Sequence, residues 1–100
     1  MLDHSHDDWK SRAAGLSFRN QAFIDGKFVD AASGKTFDSI NPATGDVLAA
    51  VAECDAEDVD RAVAAGGNAF EAGHWSRMAP GDRKEVLLKL AGLIRENLEE

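Results

Sequence analysis

Hydrophobic and polar positions follow two different rhythms along this chain. Between Phe23 and Cys54, short apolar runs alternate with turn-forming residues; from residue 55 onward, apolar positions recur at helical spacing. In the first region, Phe23 and Ile24 precede Asp25-Gly26, and Lys27-Phe28-Val29 come after it. Asp-Gly supplies the two positive φ angles of a type I′ turn, whose twist matches that of paired strands, so Ala22 to Val29 reads as a hairpin. A second turn around Ser33-Gly34 leads into a strand from Thr36 to Ile40. Asn41-Pro42-Ala43-Thr44-Gly45 then breaks the chain, because a residue before proline is pushed out of the helical region. Val47 to Val51 resumes an extended apolar run and completes a second hairpin-like unit.

The second region reads as two helices. Asp55 can cap the first amides of a helix, and Asp58 places negative charge in its first turn. Val59, Val63 and Phe70 share one face with Gly66 between them, and Gly73 ends the segment. Gly66 and Gly67 each weaken such a helix by about 1 kcal/mol relative to Ala. Pro80 suits the first position of the next helix. There Val86, Leu87, Leu90, Leu93, Ile94 and Leu98 form an amphipathic stripe, and Glu85 with Lys89 offers an i, i+4 pair on the other face. No stop signal is read for this helix after Leu98, neither a Gly cap nor a basic last turn nor a proline, which points to a truncated chain. Residues 1 to 20 form a leader. Trp9, Ala13 and Leu16 fall on one helical face, while Gly15 and polar flanks leave a short helix and a partly disordered tail both open.

Two hairpins followed by two helices make an α+β chain of 100 residues, enough for one domain. The six large apolar types contribute 26 residues and Ala 17, so the core that can be built is small. Two small hairpins can cover only part of two helical stripes, and an exposed apolar patch is expected. Cys54 is the single cysteine, which excludes an intrachain disulfide and fits a reducing, cytoplasmic setting. A net charge of −7 repels phosphate backbones and anionic lipid, which argues against nucleic acid and membrane as partners. No apolar run approaches the roughly 18 residues of a membrane span, and the acidic start MLDHSHDDWK lacks the features of a signal peptide.

Candidate chemistry is sparse. Cys54 precedes a helix amino terminus, which can lower a thiol pKa. Glu53, Asp55, Glu57 and Asp58 crowd the same spot and disfavour a thiolate, and no His stands nearby to act as base. Packing against Val59 as a hydrophobic staple is the structural role expected of it. His4 and His6 with Asp3, Asp7 and Asp8 could meet a divalent cation, but a spacing of two in a flexible tail preforms no geometry. His74 beside Trp75 reads as a loop residue. Gly26, Gly34 and Gly45 are too far apart for a phosphate cradle, and Gly66-Gly67 sits within a helical pattern, so no dinucleotide fingerprint is present. No catalytic, cofactor-binding or metal-ligating side chain is assigned.

The pattern FIDGKFVD, SGKTFDSINPATGDVLAAVAECDAEDVDRAV, WSRM and LLKLAGLI resembles the amino-terminal segment of the aldehyde dehydrogenase superfamily over roughly residues 21 to 100. Its strongest parts are Asn41 to Gly45, the helix start from Asp55 to Val59, and Trp75 followed by the Leu-rich helix. The leader, with Trp9 fourteen residues before Phe23, is similar to bacterial γ-glutamyl-γ-aminobutyraldehyde dehydrogenases of putrescine breakdown. The resemblance implies an α/β parent several times longer, with a Rossmann-like cofactor domain of which residues 21–100 form the amino-terminal part. It implies oxidation of an aldehyde to a carboxylic acid with NAD or NADP, through a cysteine thiolate and a glutamate-activated water. By the family pattern those groups lie further along, so this chain alone is expected to bind no cofactor and to be inactive. The remainder of the parent enzyme, or other subunits of a homo-oligomer, would be its partners. Some members hold a monovalent cation partly through main-chain carbonyls near the Asn-Pro turn, here Ser39 and Ile40. Gly66-Gly67, and Ala79 where a capping side chain often stands, depart from the family pattern. The alternative from another class is a stand-alone interaction module docking through its last helix.

Overall fold

The computed structural model describes residues 3–99. Its elements are α1 (His6–Ala14), β1 (Ala22–Ile24), β2 (Lys27–Val29), β3 (Thr36–Ile40), β4 (Val47–Ala52), α2 (Ala56–Ala72) and α3 (Pro80–Glu96). The leader is helical, and the reason is local: Ser5 and Asp8 form a reciprocal capping box at its amino terminus. Of the two conformations open to the leader on its sequence, that cap selects the short helix.

β1 and β2 pair antiparallel around Asp25 and Gly26, whose φ angles are 52° and 73°, the left-handed values that a type I′ turn demands. β3 and β4 form a separate antiparallel pair, with a bulge between Ser39 and Ile40. Asn41 organises the turn between them. Its side-chain oxygen accepts from the Ala43 amide (2.9 Å), its carbonyl accepts from Gly45 (2.7 Å), and its own amide donates to the Asp46 carbonyl (2.8 Å). The loops then tie this hairpin to its surroundings. The Ala52 amide donates to the Asn20 carbonyl, and the Glu53 amide to that of Lys35.

α2 begins at a capping box made by Asp55 and Asp58 and ends at Gly73, which adopts φ 72°. It lies against β1. α3 begins at Ala79-Pro80 without any side-chain cap and makes no extensive contact with another element. Its end corrects the expectation of a helix without a stop signal. The helix closes at Glu96, Arg95 lies in its last turn, and the Asn97 side chain donates to the Leu93 carbonyl at 2.8 Å. The Glu85–Lys89 pair is not among the ion pairs of the described residues, where Arg61–Glu57 is the i, i+4 pair formed. Such an exposed pair gains only a few tenths of a kcal/mol against side-chain entropy.

Burial is nearly absent. Among the described residues only Ala31, Asp58 and Gly73 are buried, and no large apolar side chain is. The radius of gyration is 18.4 Å, against about 13 Å for a compact domain of this length. The extents of 49 × 39 × 16 Å describe a plate little thicker than one helix. The expected apolar patch is therefore larger than two stripes. Phe23, Phe37, Val47, Val59, Val63 and Phe70 are more than half exposed, as are Leu87, Leu90 and Ile94 on α3.

Candidate functional site

The one buried charge among the described residues marks the place where the plate is most tightly specified. Asp58 is 3% exposed, and each of its carboxylate oxygens takes one backbone donor: the Ala32 amide on Oδ1 (2.9 Å) and the Asp55 amide on Oδ2 (3.0 Å). These bonds, from Asp55 first and Ala32 second, hold its carboxyl below the usual range. Asp55 in turn accepts from the Glu57 amide at 3.1 Å. The result pins the loop after β2 to the start of α2. Its two oxygens are occupied by backbone amides, so Asp58 is placed as a structural keystone rather than as an acid or base.

Cys54 lies on the same junction and is exposed. Partial desolvation there pushes its thiol up, and the Asp58 and Asp55 carboxylates push it further, which disfavours the nucleophilic thiolate. Val59, its expected packing partner, is itself 58% exposed, so neither is buried by the other. His74 is exposed in the loop after α2. His6 Nδ1 lies 3.7 Å from its neighbour Asp7, whereas His4 turns edge-on to Trp9, so the two leader imidazoles do not converge. Among the described residues no three His, Cys, Asp or Glu side chains are grouped to hold a metal ion. Gly26, Gly34 and Gly45 each serve a separate turn with positive φ, and Gly66 and Gly67 lie inside α2 facing open space. Ser39 and Ile40 flank the β-bulge at the end of β3.

An open and mainly apolar cleft of about 470 Å³ is lined by Trp75, Pro80, Leu87 and Leu88, with Arg83 and Lys84 at its rim. Its lining includes no His, Cys, Ser or carboxylate side chain. A second, of about 390 Å³, lies between the first hairpin and α2, bordered by Lys27, Asp58, Arg61 and Asn68. The first cleft is local, formed by Trp75 and the first turns of α3, whereas the second joins the first hairpin to α2, an approach that no local sequence pattern announces.

Comparison with known proteins decides what kind of plate this is. The pattern of the aldehyde dehydrogenase family matches residues 28–100. The chain belongs to the aldehyde dehydrogenase family. It is 52% identical over 96 residues to aminoacetaldehyde dehydrogenase of Pseudomonas aeruginosa, covering 96% of this chain and 19% of that protein. Among solved structures, an indole-3-acetaldehyde dehydrogenase with NAD+ superposes with a TM-score of 0.88 at 46% identity, over 95% of this chain and 19% of that one. The γ-glutamyl-γ-aminobutyraldehyde dehydrogenase of Burkholderia cenocepacia superposes with a TM-score of 0.86 at 50% identity, over 92% of this chain and 19% of that one. This aldehyde dehydrogenase segment thus spans about a fifth of the length of relatives it matches, with their fold over that fifth. The NAD+ complex shows the cofactor in use within the family.

Proposed function

We propose that these residues are the amino-terminal scaffold of a longer aldehyde dehydrogenase that oxidises an aldehyde to a carboxylic acid with NAD or NADP. Residues 1–20 are its leader, and residues 21–100 open its cofactor-binding domain. The observation that carries this reading is the plate itself, whose large apolar side chains stay exposed. A surface of that kind is completed by further chain. The reacting thiol, the base and the dinucleotide contacts belong to that further chain, in a cytoplasmic enzyme. For substrate we propose γ-glutamyl-γ-aminobutyraldehyde, supported by the similar leader and the 50% identity to the Burkholderia cenocepacia enzyme.

Two measurements test this. The purified 100-residue chain, given γ-glutamyl-γ-aminobutyraldehyde and either NAD or NADP, is expected to form no reduced nicotinamide, and turnover above the buffer rate overturns the inert-scaffold reading. The same chain is expected to melt without a cooperative transition, because it has almost no core. A sharp transition would instead favour a stand-alone interaction module docking through the uncovered stripe of α3.

A further inference from the structure

Leader and last helix meet through one side chain. Glu99, just past the end of α3, receives the Arg12 guanidinium on Oε2 at 2.5 Å, across 87 residues of sequence. His4 Nε2 lies 4.0 Å from the other oxygen of the same carboxylate. That nitrogen is shielded from solvent and has no hydrogen-bond partner among the described residues. Trp9 stands beside both groups. Its ring meets the His4 ring edge-on at 5.0 Å, and the Arg12 guanidinium stands 6.0 Å from its centre. The Arg12 hydrogen bond and charge hold the Glu99 carboxyl below the usual range, so it stays ionised at neutral pH. Among the described residues α1 makes no extensive contact with any helix or strand, and its own acids are engaged locally, Asp8 in the Ser5 cap and Asp7 beside His6.

We propose that the leader is an ionic strap, docked on the turn after α3 by Glu99, which pairs with Arg12 and faces the His4 imidazole, and released when the Glu99 or Arg12 charge is lost or screened. Three features meet here that a chance surface pair lacks. A single carboxylate faces a cation from the helix and an imidazole from the segment before it, an aromatic ring borders both, and the imidazole nitrogen turned toward the carboxylate is hidden from water. The strap makes the position of the leader depend on where the end of α3 stands.

Amide exchange over residues 6–14, followed in the full-length enzyme that carries this segment as the parent chain, tests the strap. Glu99→Gln lies outside α1 and leaves its helix propensity untouched, yet it is expected to speed exchange there by about two- to five-fold. Arg12→Gln should do the same. The double variant Arg12→Gln/Glu99→Gln should add nothing to either single change, because one contact has already been removed. Raising the salt from low concentration to about 1 M, where screening acts within a few ångströms, should speed α1 exchange in the parent chain and leave it unchanged in Glu99→Gln. Equal exchange in parent chain and Glu99→Gln overturns the proposal. So does a parent chain in which residues 6–14 exchange at the rate of an unstructured peptide.

Discussion

α2 and α3 are both 17 residues long, and they are made in opposite ways. α2 carries two adjacent glycines, Gly66 and Gly67, inside an otherwise alanine-rich helix, a weak point that the glycines of α3, set apart at Gly81 and Gly92, do not share. It compensates at its ends, with a reciprocal Asp55–Asp58 capping box, a left-handed Gly73, and contact with β1. α3 is rich in Leu, Lys, Arg and Glu, good helix formers, but starts at an uncapped Ala79 and makes no extensive contact with another element. The difference teaches where each helix gets its definition. α2 is specified by its termini within this chain. α3 is specified by a stripe that no element among the described residues covers.

The comparison breaks first at Asp58. Asp58→Ala removes the acceptors for Ala32 and Asp55, and exchange of those two amides is expected to rise by about ten-fold, with α3 unaffected. Asp58→Asn keeps an acceptor and should lose less. Gly73→Ala comes next. The residue must hold φ 72°, and a Cβ there would stand 2.6 Å from Cζ of the Arg77 guanidinium, which itself donates to the Glu71 carbonyl. Left-handed strain alone weakens the end of α2 by about 1–2 kcal/mol, read as lost helix signal in circular dichroism. Two changes should narrow the contrast. Ala79→Ser supplies α3 with a cap and about 1 kcal/mol, and Gly66→Ala, with nothing within 4 Å of the new methyl, strengthens α2 by about 1 kcal/mol. A loss of helix signal in either variant would contradict the assignment of those ends and faces.

The smallest effect is with pH. The Asp58 carboxyl is lowered in the folded chain, so its stabilisation is fully present above the ordinary carboxylate pKa of about 3.9 and is lost as pH falls through the lower folded value. The start of α2 should therefore fray only in strong acid, and Asp58→Asn should abolish that acid-dependent step. Fraying that begins near pH 6 would point to another group. Residue-resolved amide exchange at a series of pH values reads this directly.

Legibility in the sequence tracks the range of the interactions. The Asp25-Gly26 turn, the Asn41 to Gly45 break and the Asp55–Asp58 cap are all contained within a few residues, and each is readable from residue type and spacing. The second bond of Asp58, to Ala32, spans 26 residues, and the Arg12–Glu99 contact spans 87; no periodicity carries either. Ser5 and Asn97 are local, yet their signals are weak. Ser5 stands three residues before Asp8, an acid where the capping box usually shows Glu or Gln, and Asn97 closes α3 in place of the more usual Gly or Pro. Glu85 and Lys89 have the right spacing and still do not pair among the described residues, since spacing permits such a contact without supplying the energy to hold it. For candidate chemistry, the sequence points to no reacting constellation, and the structure locates Cys54, His4, His6 and His74 at a strand–helix junction, on the leader and in a loop.

The flatness of the plate bears on the order of events during synthesis. Each hairpin closes over a handful of residues and each helix over one segment, steps that take about a microsecond to ten microseconds, whereas a ribosome adds roughly 5–20 residues per second. The elements can therefore take shape as they emerge, and in the longer enzyme proposed above they would do so before the sequence that covers them is made. For that interval the Leu87, Leu90 and Ile94 stripe stands bare beside the unpaired strand edges of two small sheets. On the proposed reading, an early-forming layer of this shape would offer a template to the chain made after it, and would meet its greatest aggregation hazard before that chain covers it.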